Sequence, residues 1–203
     1  MKTNLTEIIV LYGDNIPQKE FAGTDQTIRK ALQPLKESGV ELRFTVAAFG
    51  AGYSKFCENA FDCTVAAKNH APGGDGYGNA PVDAAVLLAR EIGVRYCGTP
   101  EVEIPGRIVF VMAVLGKDNA SKQFTYEHLK EVVEHQSYVY KWEFFMLTDE
   151  PANVEKLSIQ EDNAVIVSCD ADGYFQPAIE RLFGAVAGLN AGQSGVPSDV
   201  TEG

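Results

Sequence analysis

The chain predicts an α/β domain of three layers (αβα), with a mostly parallel, doubly wound central sheet covered by helices on both faces. Three observations carry this expectation. Short apolar runs rich in β-branched residues alternate with segments of helical periodicity along nearly the whole chain. The strongest run, Arg107 to Val114, is apolar without alternation, as in a strand buried on both faces and paired in parallel. Hydrophobic residues make up 45% of the 203 and charged residues 22%, enough for one core. One domain over residues 1–189 is expected, followed over 190–203 by a flexible tail rich in Gly, Ser, Pro and Asp.

Taken in order, Glu7 to Tyr12 reads as a buried strand ended by the turn Gly13-Asp14-Asn15. A helix capped by Thr24 or Asp25 follows, with Ile28, Ala31, Leu32 and Leu35 inward, Pro34 kinking its end and Ser38-Gly39 stopping it. Val40 to Phe49 alternates and then turns apolar, a strand that enters the core, and Gly50-Ala51-Gly52 leads into a short strand over Tyr53 to Cys57. Lys68 to Asn79 is glycine-rich with little apolar content and reads as an exposed loop. Pro81 opens a helix that runs on Val82, Ala85, Val86, Leu88, Ala89 and Ile92 until Gly93. After the strand at Arg107, Thr125 opens a helix with Leu129, Val132 and Val133 inward, and Trp142 to Leu147 forms the next strand. Ala164 to Ser168 is the last strand, and Phe175, Ile179, Leu182, Phe183 and Val186 space out the last helix.

Composition excludes some partners. The net charge of −11 and pI near 4.7 repel nucleic-acid phosphates and anionic membranes. The first residues hold no apolar run like that of a signal peptide, and no stretch reaches the ~18 apolar residues of a membrane span, so a cytoplasmic location is expected. Cys57, Cys63, Cys97 and Cys169 fit no zinc pattern. They are expected to be reduced, although Cys57 and Cys63 are near enough in sequence to meet across a hairpin.

In parallel sheets of this kind ligands gather at the carboxyl ends of the strands, here Tyr12–Ile16, Gly50–Gly52, Val114–Asn119, Thr148–Pro151 and Cys169–Gly173. The stretch from Arg107 to Leu147, above all Asp118-Asn119-Ala120-Ser121 and Lys141-Trp142-Glu143-Phe144, resembles a bacterial branch of the von Willebrand factor A (VWA) family. The order of elements extends the resemblance over roughly Glu7 to Leu189. The resemblance implies a metal-ion-dependent adhesion site (MIDAS) built from Asp-x-Ser-x-Ser, a Thr and an Asp. The first motif falls on Tyr12, Asp14 and Ile16, the Thr on Asn79 or Ala80 and the Asp on Leu115, with the cation of Lys117 close by. Too few hard oxygens remain for Mg²⁺, so a degenerate site holding no metal is expected, and no cofactor.

Other motifs have plainer readings. Asp170-Ala171-Asp172-Gly173 is a fragment of a calcium loop without its closing Glu, and Lys68-Asn69-His70 beside Gly73-Gly74-Asp75-Gly76 lacks the spacing of a phosphate loop. His128, Glu131 and His135 share a helix face that reads as solvated surface. Cys169 has flanking acids that raise a thiol pKa, and no GxSxG motif is present. Tyr12, Ile16 and Leu115 either pack beneath the loops or form an apolar docking patch.

The expected function is a non-enzymatic module that binds a protein partner, with a rim of Tyr12, Asp14, Asn15, Asp75, Asn79, Lys117, Asp118 and Asp149. The alternatives are a small-molecule binder or hydrolase using Asp14, Asp75, Asp118 and Asp149 in a concave pocket, and a self-assembling structural subunit.

Overall fold

Strand β1 (Lys2–Gly13) has an apolar side chain at nearly every position from Leu5 on, and a strand with two apolar faces needs a covering layer on each side. The computed structural model describes residues 1–16, 20, 23–61, 78–169 and 172–188. Along the chain the elements are β1, α1 (Thr24–Ala31), α2 (Gln33–Glu37), β2 (Glu41–Phe49), β3 (Tyr53–Ala60), α3 (Pro81–Cys97), β4 (Pro105–Val114), α4 (Tyr126–Tyr140), β5 (Glu143–Thr148), α5 (Ala152–Lys156), β6 (Ala164–Ile166) and α6 (Phe175–Val186). The strands form one sheet in the order β3-β2-β1-β4-β5-β6. Every neighbouring pair is parallel except the antiparallel β2–β3 edge.

Alternate side chains of β1 feed two cores. Ile8, Val10 and Tyr12 pack with Ile28 and Leu32 from the α1 side and with Ile179, Leu182 and Phe183 of α6. Ile9 and Leu11 pack with Val86, Leu88 and Ile92 of α3 and with Leu129 and Val133 of α4. The expected three-layer α/β architecture is therefore what the chain adopts. Thr125 caps α4, its hydroxyl accepting from the His128 amide at 3.3 Å.

Several boundaries differ from expectation, each for a physical reason. Pro34 does not kink a continuing helix. The chain breaks at Leu32 and Pro34 sits in the first turn of α2, where its missing N–H costs nothing. Helix α3 runs through Gly93 to Cys97, since Gly93 has open space around it and Arg95 is held by the buried carboxylate of Glu7. The short α5, absent from the periodicity reading, follows Pro151, and β6 ends at Ile166 rather than Ser168.

Cys57 is disulfide-bonded while Cys97 and Cys169 remain thiols, so the expectation of reduced cysteines fails at Cys57. Cys63 lies outside the described residues, as do Asp75, the Lys68–Gly76 cluster, the Asp170-Ala171 half of the calcium-like fragment and the 190–203 tail. No helix among the described residues is long and apolar enough to cross a membrane.

Candidate functional site

At the carboxyl ends of the central strands four segments meet: the turn after β1, the residues leading into α3, the loop after β4 and the loop after β5. Asn79, 8% exposed just ahead of α3, is their common point. Its backbone N–H donates to Asn119 Oδ1 at 2.7 Å, and its carbonyl accepts from the amides of Asn119 and Ala120 at 3.0 and 3.1 Å. Its side-chain Nδ2 donates to the carbonyls of Leu115 at 3.1 Å and Lys117 at 3.0 Å. Because both contacts are to carbonyl oxygens, the amide orientation is fixed with nitrogen toward the β4 loop. Asn79 Oδ1 is left buried with no hydrogen-bond partner among the described residues.

Asn15 reaches the same place from the other side, its Nδ2 donating to the Leu115 carbonyl at 2.8 Å. That carbonyl therefore receives two side-chain N–H groups. The Asn15 side chain folds back over Gly13 so closely that a Cβ there would collide with its Oδ1, which explains the glycine. Gly116 turns the chain with φ +74°, a left-handed conformation that glycine adopts without a Cβ penalty, and its amide donates to Asp149 Oδ1 at 2.8 Å.

The loop after β4 is tied to α3 by Asp83. This carboxylate accepts from the amides of Lys122 at 2.7 Å, Gln123 at 3.0 Å and Phe124 at 2.9 Å, while the Asp83 amide donates to Ser121 Oγ at 3.2 Å. Asp118 Oδ1 accepts from the amides of Ala120 and Ser121, a local turn bond.

Of the residues expected on the rim, the structure joins Asn15, Asn79 and the Lys117 backbone in one hydrogen-bond network, with Asp149 attached through Gly116. Asp14 sits beside Gly50, where a Cβ would collide with its carboxylate, and the Lys117 side chain is exposed. Tyr12 is a correction: at 2% exposure it belongs to the core, stacked on Phe56 with ring centres 6.4 Å apart, and presents almost no surface. Ile16 and Leu115 are buried with it, so these three residues pack beneath the loops and form no docking patch.

Three features of the neighbourhood were not foreseen. Asp83 and Ser121 stitch α3 to the loop. The Tyr126 hydroxyl is pushed up first by burial and then by the charges of Asp118 and Glu150. At the last strand, burial and then a hydrogen bond with Cys169 raise the Tyr174 hydroxyl well above the usual phenol range, and Cys169 Sγ itself lies 3.8 Å from Asp149 Oδ2. A polar residue beside an apolar run is the only sequence signal for any of them.

The helical face of His128, Glu131 and His135 is exposed. His128 sits edge-on to Phe124 and His135 to Tyr140, and no group of three or more metal-binding side chains occurs among the described residues.

No protein-family model matches the chain, and no curated protein matches it in sequence. Solved structures of proximal thread matrix protein 1 from the mussel byssus share its fold. Crystal form 2 of that protein gives a TM-score of 0.65 at 11% identity, over 93% of this chain and 48% of the other. Another structure of it gives 0.58 at 12% identity over 92% and 48%, and the form with a zinc-occupied MIDAS motif gives 0.60 at 11% identity over 93% and 48%. The fold is VWA-like, and the chain spans about half the length of these neighbours.

Proposed function

We propose that the chain is a non-enzymatic protein-interaction module of VWA-like fold whose sheet-top site has lost the family metal and works without one. The observation that carries this is the pair of asparagine amides, Asn15 Nδ2 and Asn79 Nδ2, both donating into the Leu115 carbonyl. A divalent cation of the Mg²⁺ type needs several oxygen lone pairs aimed at one point. At the corresponding positions this chain has Leu115 and Ile16, which carry no side-chain oxygen, Tyr12, which is turned into the core, and Asp14, which keeps a carboxylate. Asn79 presents its nitrogen to the loop carbonyls, and its Oδ1 together with the Asp14 carboxylate leaves fewer side-chain oxygens than such an ion takes. The residues present do not fit the ion.

The carboxylate-based alternative loses support on the same ground. Asp118 and Asp149 already accept backbone N–H groups of the β4 loop, which is a structural use. The solved neighbours are thread matrix proteins, and this favours a scaffold or binding role over turnover. The partner-binding surface on this reading is the exposed part of the rim, with Asn15, Lys117 and Asn119 at its centre. The motifs at Asp118–Ser121 and Lys141–Phe144 support a place in the bacterial branch of the family. A disulfide at Cys57 belongs to the chemistry of oxidising compartments and weighs against the cytoplasmic location that the sequence suggested.

Thermal melts with Mg²⁺, Mn²⁺, Zn²⁺ and EDTA test the metal-free reading, because an ion that binds only the folded state raises the midpoint. The midpoint is expected not to move. A saturable rise that EDTA reverses overturns the proposal.

A further inference from the structure

A cavity of about 390 Å³ opens at the amino ends of the parallel strands, at the opposite end of the sheet from the rim. Its walls include Lys2, Arg43, Asn59, Arg95, Tyr96 and Thr99. Three cationic side chains converge here in a protein whose net charge is −11. Two of them are already matched. Lys2 pairs with Glu41 at 2.5 Å, while Arg95 pairs with Glu7 at 2.5 Å and Glu58 at 3.3 Å. Arg43 forms no ion pair with a carboxylate among the described residues: its Nη1 donates to Asn59 Oδ1 at 3.2 Å and its guanidinium lies 4.5 Å from the centre of the Phe61 ring.

The hydrogen-bond balance of this cavity is one-sided. Arg43 Nε, Arg95 Nε and the Tyr96 hydroxyl are all buried with no hydrogen-bond partner among the described residues, and all three residues line the cavity. Arginine nitrogens can only donate, so the missing partner is an acceptor, and beside an unmatched guanidinium it is an anionic one. Asn59 is held with φ +49°, uncommon for a residue other than glycine, where its side chain accepts from Arg43 and its amide donates to Thr45 Oγ1.

We propose that this cavity is a binding site for a small oxyanion, a carboxylate or phosphate group, with Arg43 as its principal ligand and Tyr96 and Arg95 as supporting donors. The donors lie just under the cavity wall, so the anion engages them as the Arg43 side chain rolls outward and exchanges Asn59 for the ligand. Glu103 on the wall repels an anion and limits affinity. Nothing in this proposal depends on the reading of the rim.

The test is a titration of the full chain at constant ionic strength with inorganic phosphate and, separately, with acetate, followed by backbone amide chemical shifts. Saturable shifts are expected at Arg43, Asn59, Tyr96 and Thr99 with at least one of the two, and the one that saturates at lower concentration identifies the group. Arg43→Gln should weaken binding about tenfold or more and Tyr96→Phe about two- to tenfold. Glu103→Gln should tighten it. Lys30→Gln, which removes a remote exposed charge, should leave it unchanged. No saturable shift, shifts confined to other residues, or equal affinity in Tyr96→Phe and the unmodified chain each overturn the site. If Arg43→Gln fails to fold, Tyr96→Phe and Glu103→Gln decide.

Discussion

The two ends of one sheet solve the problem of buried polar groups in different ways. At the carboxyl end, neutral amides are matched to carbonyls: Asn79 and Asn15 close the loops after β1 and β4 over the Leu115 oxygen. At the amino end a carboxylate is buried and paired with a partly exposed arginine. Glu7, 0% exposed, accepts from Arg95 Nη2 through both oxygens and from Thr45 Oγ1 at 2.5 Å. Amides matched to carbonyls tolerate small losses, because each bond adds little over water. A buried charge does not, because removing its partner strands it in a low dielectric.

Mutants can break or sharpen this contrast. Arg95→Ala should be the costliest, about 3–5 kcal/mol in denaturant-derived stability, because it leaves the Glu7 carboxylate buried without its main partner. The double variant Glu7→Gln/Arg95→Ala should recover part of that loss. A loss under about 1 kcal/mol for Arg95→Ala would mean the pair is not the anchor described here.

At the carboxyl end, Asp83→Ala removes a charged acceptor of three loop amides and should cost about 1.5–3 kcal/mol, with faster hydrogen exchange at Lys122, Gln123 and Phe124. Unchanged exchange at those amides would show that the loop is held by something else. Asn79→Ala should cost less, about 1–2 kcal/mol, since two neutral bonds are lost and an Oδ1 with no partner among the described residues is removed with them.

A pH series separates the rim by another route. The hydroxyls of Tyr126 and Tyr174 are raised in the folded state, so the unfolded chain gives up these protons first as the pH climbs. Their contribution is fully present below the ordinary phenol pKa of about 10 and is lost as the pH rises above it. Stability should fall there, and Tyr126→Phe with Tyr174→Phe should flatten the fall in alkaline denaturation curves. Smallest of all, Lys30→Gln breaks an exposed pair with Glu180 at 3.7 Å and should change stability by less than about 0.5 kcal/mol.

The contrast also separates what was legible in the sequence from what was not. The strand at Arg107 to Val114 and the helix opened by Thr125 were readable because periodicity and capping are local. The ion pair of Glu7 with Arg95 was not readable, since the two residues are 88 apart and Glu7 stands in an otherwise apolar run that a strand reading absorbs. In the sequence Tyr12 ends a strand at the rim, which says nothing of the face its side chain takes. Its burial depends on which face it takes, and Phe56 from β3 helps cover that face.

The layered α/β fold and the order of its elements are written in local pattern, and a reading of the sequence alone reaches them. The tertiary structure sets which donors point at the Leu115 carbonyl, how Glu7 is paired and where three donors with no partner among the described residues gather around one cavity. Those outcomes depend on parallel strands bringing together residues from distant parts of the chain, and on the requirement that a buried polar group find its partner through space.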